Sequence, residues 1–330
     1  MFKWGIIGLG RIAHKFAKEL HETGIGKVTA VASRDINKAA LFADEYDIES
    51  RFGSYEDFAR LAEVDAVYVA VPHHLHYEVT AMCLMQDKPV LCEKPFTINK
   101  NELIKLVDLA RTRKIFLMEA MWTRCMPHIV WLKHLVESGS LGSILHLRAE
   151  FCFKGKERGI QLGLNRLLEN ELGGGALLDI GIYPLFLAHL LLGIPKEIQA
   201  QASIVNDIDE VTLVTCKYDR GVTAYLESSI LWESEGDAVV YFEKGTVIIP
   251  KRWHESNEVY IKDSSGEVRK ESWEYPSRGF YFEMKEAQDC LAEGKTESEL
   301  MPLDFSLQIM DSLDRIRQLI NLKYPADLEA

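Results

Sequence analysis

Three groups of residues in this 330-residue chain have the types and spacing to do chemistry. The first is Gly5-Ile6-Ile7-Gly8-Leu9-Gly10-Arg11-Ile12-Ala13, an apolar run that enters a glycine turn and then a helical pattern. Gly8 permits the tight turn, Gly10 lets the backbone approach a pyrophosphate, and Ala13 keeps the helix close to the strand. The N–H groups of the helix start, around Arg11 and Ile12, then face the anion. The spacing predicts a dinucleotide site for nicotinamide or flavin chemistry, with a plain left-handed corner as the competing reading. The second group is Glu93-Lys94-Pro95, directly after the apolar Val90-Leu91-Cys92. It falls where open α/β sheets hold their ligands, beyond the carboxyl end of a strand. Pro95 restricts Lys94 to an extended backbone, so the amine is offered from a stiff corner, whereas a solvated loop lysine is the plain alternative. The third is the run from Gly173 to Pro184, in which Asp179 and Tyr183 stand four apart and share one face if the segment is helical. A glycine turn before a buried helix, with Tyr183 packing there, is the bland reading of the same residues.

The elements that must position these groups alternate. After the first strand and helix, Val28–Ser33 reads as a strand, Asn37–Tyr46 and Tyr55–Ala62 as helices, and Ala66–Val71 as a strand covered on both faces. His76–Met85 reads as a helix, Pro89–Cys92 as a strand, Asn99-x-x-Glu102 as a capping box opening a helix to Arg113, and Ile115–Met118 as a strand. A further helix, Pro127–Glu137, precedes a change to β pattern: 144–153, 198–205, 210–218, 222–232, 238–243, 245–249 and 258–261. The expectation is an α/β fold with an N-terminal Rossmann dinucleotide-binding domain, 1–121. A C-terminal α+β domain, 122–330, is built on a mostly antiparallel open-faced sheet, and its C-terminal helix is free to pack back on the first domain.

Composition narrows the partners. With 47% hydrophobic and 27% charged residues a sizeable core forms, and a net charge of −12 opposes binding to nucleic acid or anionic lipid. No targeting segment is recognised and no apolar run is expected to reach bilayer length, so a cytoplasmic location is expected. The six cysteines lack C-x-x-C spacing and read as buried free thiols. No metal is expected: His73, His74 and His76 lie on one short segment, and ligands converge from several elements. Ser33-Arg34-Asp35 ends the second strand; Arg34 suits a 2′-phosphate with Ser33 in support, and Asp35 suits a ribose hydroxyl. The expectation is NADP, with NAD the alternative and a surface ion pair of Arg34 with Asp35 or Glu56 the competing reading. Strands 211–218 and 221–232 carry apolar residues on both faces, which predicts a sheet-mediated homodimer or higher even-numbered homo-oligomer.

Together, Gly8-x-Gly10-x-x-Ala13, Glu93-Lys94-Pro95 and Asp179-x-x-x-Tyr183 resemble the Gfo/Idh/MocA oxidoreductases over the whole chain. Glu119-Ala-Met-Trp122-Thr-Arg124, the segment Gly174–Tyr183 and Gly279-Phe280 are most similar to the dimeric dihydrodiol dehydrogenase branch. The resemblance implies NAD(P) on the first domain, with Pro72, His76 and Glu93 on the cofactor side of Lys94. It also implies a substrate pocket including Trp122, Arg124, Arg148, Phe153 and Phe280. A carbinol/carbonyl pair needs a proton partner beside the hydride, and the resemblance gives that role to Tyr183. An ammonium such as Lys94 favours the phenolate of a group whose free pKa is about 10. Asp179 orients Lys94 or substrate, or caps a helix. The implied substrate is a sugar, polyol or dihydrodiol-like small molecule; many relatives carry His where Tyr183 stands, a departure from the polyol pattern. An NAD-dependent glycosidase and a non-catalytic NAD(P) sensor are the other classes the scaffold hosts.

Overall fold

Short apolar strands alternating with helices produce a parallel sheet in the first part of the chain, because each crossover helix must cover a sheet face. The strands are β1 (Phe2–Ile7), β2 (Gly26–Ala32), β3 (Ser50–Phe52), β4 (Ala66–Val69), β5 (Val90–Glu93) and β6 (Leu117–Ala120). Their order is β3-β2-β1-β4-β5-β6, all parallel, the doubly wound arrangement expected. Helices α1 (Arg11–Thr23), α2 (Ile36–Glu45), α3 (Tyr55–Leu61), α4 (His76–Met85) and α5 (Lys100–Arg113) connect them. Asn99 caps α5 by accepting from the Glu102 N–H at 3.0 Å, while the Glu102 carboxylate turns back to the Ile98 N–H at 3.1 Å. The three-residue edge strand β3 has too little pattern to be read in advance.

The computed structural model describes residues 1–157 and 165–328 and divides into two units, Met1–Cys125 with Pro276–Leu307, and Met126–Tyr275 with Gln308–Ala330. The division at 121 and 122 therefore differs from the structure, since the chain returns to the first unit for 276–307. Directional bonds explain the return. Glu19 on α1 accepts from the Ser277 hydroxyl at 2.5 Å and the Tyr281 N–H at 3.1 Å. The Leu117 N–H on edge strand β6 donates to the Thr296 carbonyl at 3.1 Å, and Arg111 pairs with Asp304 at 2.9 Å. An unpaired sheet edge and a helix flank thus gain partners that no local pattern announces.

In the second unit, α6 (Pro127–Ser138) precedes an eight-stranded sheet. Its strands are β7 (Ile144–Cys152), β8 (Glu197–Val205), β9 (Ile208–Lys217), β10 (Thr223–Ser229), β11 (Ala238–Phe242), β12 (Gly245–Ile249), β13 (Glu258–Asp263) and β14 (Val268–Ser272). The order is β14-β13-β12-β11-β7-β10-β9-β8, antiparallel except for the central β7–β10 pair. Strand β14, rich in charge and exposed, was not expected. Helix α7 (Ile182–Leu192) packs on β7 and β10, and its residues from Ile182 to Leu191 are all buried. The stretch Asn170–Leu192 is long and apolar enough to cross a membrane by length and composition, contrary to the expectation that no run reaches that length. Yet 94% of its apolar 18-residue window is buried inside the protein, which makes it a core segment. All six cysteines are buried free thiols.

The face of this sheet away from α7 is less apolar than expected. Strand alternation places Arg148, Glu150, Tyr225 and Glu227 there beside Val211, Leu213 and Val239, with Arg148 paired to Asp237 at 2.8 Å.

Candidate active site

In the first unit the phosphate end is shaped by two glycines. Gly8 has φ 92°, and a Cβ there would lie 2.6 Å from the backbone of Ala70 and Val71 after β4, so only glycine fits the turn from β1 into α1. A Cβ on Gly10 would meet nothing within 4 Å, which leaves open space at the start of α1. That helix has no side-chain cap and no acid in its first turn. Uncapped N–H groups beneath open space fit a pyrophosphate, with Arg11 and Ile12 opening the helix. At the end of β2, Asp35 caps α2 by accepting from the Asn37 N–H at 2.9 Å, and the Ser33 hydroxyl accepts from the Asp35 N–H at 3.2 Å. Asp35 is thus a helix cap, a role that competes with the ribose reading. Arg34 is exposed and lies against the Tyr55 hydroxyl, not in the surface ion pair considered as its alternative.

The loops after β4 and β5 are tied together by His76. Its Nδ1 lies 2.7 Å from the Pro95 carbonyl and its Nε2 lies 2.9 Å from the Val71 carbonyl, so the fully buried ring clamps Val71-Pro72 to the Lys94–Pro95 corner. Both ring nitrogens are engaged within the protein, which makes His76 a support for the Lys94–Pro95 corner. Glu93 is also turned inward: its carboxylate accepts from the Tyr68 hydroxyl and, at 3.1 Å, from the Lys94 N–H. The Phe96 N–H donates to Glu119 at 3.1 Å, which fixes the far side of the corner, where the Lys94–Pro95 peptide is cis. Lys94 is half-buried.

Trp122 and Phe280 form one aromatic wall in this unit, stacked at 5.3 Å with 9° between planes; Arg124 is buried in the same short helical segment, Trp122–Cys125. Phe280 opens helix α8 (Phe280–Ala292), whose first turn Glu19 holds through Ser277 and Tyr281. Such a stack contributes roughly 0.5–1.5 kcal/mol beyond the area it buries.

In the second unit the glycine run Gly173–Gly175 leads into a π-helical turn, Leu177–Gly181, that continues into α7. Asp179 lies in the π turn and accepts from Arg166 at 3.3 Å; Tyr183 lies in the first α turn. Wide turns of this kind recur at functional sites. Gly181 has a packing reason, since a Cβ there would come 2.8 Å from the Ser228 hydroxyl on β10. Tyr183 is 5% exposed, and its ring sits 5.4 Å from both Phe151 and His254, which themselves stack at 4.2 Å and 17°. Trp253 anchors His254: its indole N–H donates to the Glu150 carbonyl at 2.9 Å, and its carbonyl lies 2.8 Å from Nε2 of His128. Burial pushes the His128 imidazole down to about 4, so it stays neutral. Sequence reading missed Phe151 and His254. Phe153 joins the apolar cluster beside them, 6.3 Å from Phe151. Arg148 does not join this wall: three residues from Phe151 on a regular strand, it points to the opposite face and pairs with Asp237.

Among the described residues one group, Glu150, Cys152 and Glu227, brings three ligand-type atoms within 4.8 Å of one another; the three histidines form no such group. Burial pushes the Cys152 thiol up to about 12 and it donates to Glu227 at 3.8 Å, which makes the group a hydrogen-bonded one.

An uncapped helix start beyond a glycine turn, with a lysine at the carboxyl edge of the same sheet, defines a dinucleotide-dependent redox fold. Residues 2–121 match the model "Oxidoreductase family, NAD-binding Rossmann fold" and residues 129–248 match the GFO/IDH/MocA C-terminal domain. Trans-1,2-dihydrobenzene-1,2-diol dehydrogenases are among the relatives. That of Xenopus tropicalis is 31% identical over 98% of this chain and 99% of its own, and that of Homo sapiens is 32% identical over 98% of both. A solved 3-ketoreductase from Actinomadura kijaniata, in complex with NADP and TDP-benzene, is 25% identical over 97% of this chain and 98% of its own, with TM-score 0.85. An aldose-aldose oxidoreductase from Caulobacter crescentus shares the fold at TM-score 0.84 and 22% identity, over 97% of each chain. The chain belongs to the GFO/IDH/MocA oxidoreductases. It is an NAD(P)-dependent dehydrogenase/reductase acting on CH–OH groups, which sets aside the glycosidase and sensor readings.

One buried acid of the first unit generates an expectation. Glu283 on α8 is fully buried, with no hydrogen-bond partner for either oxygen among the described residues; burial and the nearby Glu93 and Glu19 push its carboxyl well above the ordinary range. The folded state therefore holds this proton to higher pH than the unfolded chain, and stability falls as pH rises above the unfolded carboxyl range. Glu283→Met is expected to raise the thermal midpoint, with a larger gain at pH 8 than at pH 5, of order 1–3 kcal/mol at the higher pH. Equal gains at both pH values in a melting series would contradict this.

Proposed function

We propose that the enzyme transfers a hydride between a nicotinamide and the carbinol or carbonyl carbon of a cyclic, sugar- or dihydrodiol-like substrate, with Tyr183 exchanging the proton. The observation that carries the reading is the placement of Tyr183, a buried phenol at the head of a core helix, its ring set against the stacked pair Phe151 and His254. A phenol so enclosed has one defined direction in which to present its oxygen, and apolar walls suit a ring substrate. Lys94, at the carboxyl edge of the first sheet, is assigned the role of assisting the proton transfer by polarising the reacting oxygen. The nicotinamide supplies the hydride; the protein supplies the proton, the orientation and the exclusion of water. The relatives named for a dihydrodiol and the neighbour named a 3-ketoreductase support a ring carbon bearing a vicinal hydroxyl as the reacting centre. The exposed Arg34 beside Ser33 supports NADP over NAD, because a guanidinium matches a 2′-phosphate in two hydrogen bonds. We also propose a homodimer through the sheet face carrying Leu213, Tyr225 and Val239, a surface mixed enough in polarity to be wetted when apart.

Oxidation of trans-1,2-dihydrobenzene-1,2-diol by NADP, followed by nicotinamide absorbance, tests the chemistry. Tyr183→Phe is expected to lower kcat by about a hundredfold or more, and Lys94→Met to abolish turnover with the cofactor Kd changed less than about tenfold. Wild-type rates in either variant would assign the proton elsewhere. Arg34→Ala is expected to weaken NADPH at least about tenfold and leave NADH within about twofold in a fluorescence titration; equal losses would remove Arg34 from the phosphate. Light scattering is expected to return twice the 37.6 kDa chain mass, and a single-chain mass would refute the dimer.

A further inference from the structure

Asp209, the second residue of β9, is fully buried and lies far along the chain from Tyr183. Its Oδ2 accepts two hydrogen bonds, from the Leu177 N–H at 2.7 Å and from the Thr212 hydroxyl at 2.6 Å. Leu177 opens the π turn that leads into α7, and Ala176 before it makes no side-chain cap. The N–H groups at a helix start have no partner within the helix, so Asp209 supplies from a neighbouring strand the cap that the local sequence lacks. The same carboxylate explains Gly175. That residue has φ 110°, and a Cβ on it would sit 2.2 Å from Oδ1 of Asp209. Beside it, the Gly174 carbonyl accepts from the Tyr324 hydroxyl at 2.6 Å and the Gly175 N–H donates to the Leu167 carbonyl at 2.9 Å.

We infer that Asp209 is a positioning residue for the reaction: by capping the helix at Leu177 it sets how far along the helix axis Asp179 and Tyr183 stand. This rests on the assignment of the proton to Tyr183. The residues of α7 from Ile182 to Leu191 are buried and mostly apolar, and the hydrophobic effect that holds them is non-directional. Directional hydrogen bonds at the two ends of the helix add to what close packing fixes along its axis. Asp209 holds the start of the helix, and near its end His189 Nε2 lies 3.0 Å from the Ser312 hydroxyl. A displacement of about 1 Å at a proton-transfer group costs on the order of a hundredfold in rate.

Burial pushes the Asp209 carboxyl up to about 7, against the lowering effect of the Thr212 hydroxyl and the Leu177, Asp209 and Ala176 N–H groups. The titratable group facing it from the C-terminal segment is Tyr324, whose phenol burial keeps neutral. Burial thus favours the neutral form of the cap, and its hydrogen-bond donors favour the charged one.

The test compares Asp209→Ala and Asp209→Asn with Tyr183→Phe in the full-length enzyme, using trans-1,2-dihydrobenzene-1,2-diol and NADP. Asp209→Ala is expected to lower kcat at least about tenfold while the NADPH Kd stays within about twofold. Asparagine keeps an acceptor for Leu177 and Thr212 without the charge; its kcat is expected within about threefold of wild type. An Asp209→Ala enzyme with wild-type kcat overturns the inference, and so does an Asp209→Asn enzyme whose kcat falls as far as that of the alanine variant. If the alanine variant does not fold by circular dichroism, the asparagine variant decides: a kcat within about threefold of wild type with unchanged NADPH Kd supports the inference, and a loss of about tenfold or more overturns it. A wild-type rate in Tyr183→Phe together with loss in Asp209→Ala would show that the proton assignment failed and the positioning did not.

Discussion

The burial of the helix from Leu177 to Leu191 on every side is the constraint on which the second unit depends. Each large apolar side chain on it contributes about 1.5–3 kcal/mol by leaving water, so the helix has no option but the sheet beneath it. Once it is there, the residues at its head have little freedom. The helix approaches β10 so closely that residue 181 must lack a side chain, and the turn before it wraps a buried carboxylate so closely that residue 175 must lack one too. Tyr183 inherits its enclosure from this packing. A hydroxyl that would be one of many on a surface is carried on a buried ring set against the stacked Phe151 and His254.

The first unit solves the parallel problem with polar groups. At the carboxyl edge of its sheet, His76 joins the loops after β4 and β5, Glu93 is held by Tyr68, and Glu119 receives the Phe96 N–H. Burial pushes Glu119 up to about 7 and holds Glu283 well above the ordinary carboxyl range. Burying several carboxyls so close together costs stability, and their clustering behind the Lys94 corner and the Trp122–Phe280 stack is the kind of local cost found where a fold supports a site. The motif residues Glu93 and His76 thus serve by holding the loop that carries Lys94.

The fold was legible where period and punctuation agreed. The glycine turn into α1, the helix His76–Met85, the cap at Asn99 and most strands of both sheets follow from apolar spacing and capping chemistry. Tyr183 and Asp179 were legible as a pair because four-residue spacing survives in any helix, but the π turn beneath Asp179 was not, since no composition marks it. The face that Arg148 takes, opposite Phe151 and Tyr183, depends on the parity of β7, which only the three-dimensional contacts give. Asp35 reads as a ribose ligand or an ion-pair partner of Arg34 from the sequence, and its capping role emerges only where α2 is seen to begin one residue later. His254, Asp209 and Glu283 carried no signal: each owes its surroundings to elements distant in sequence. The return of 276–307 to the first unit is of the same kind, because its ties to Glu19, Leu117 and Arg111 are single bonds and not a pattern.

The most direct test of the account follows the hydrogen itself. Trans-1,2-dihydrobenzene-1,2-diol deuterated at its carbinol carbons is incubated with the enzyme and NADP, and the reduced nicotinamide is analysed by mass spectrometry. The account predicts one deuterium per turnover on the nicotinamide ring, with slower turnover than for the unlabelled diol. Oxidised product accompanied by unlabelled reduced cofactor, or no turnover of this diol at all, would contradict it.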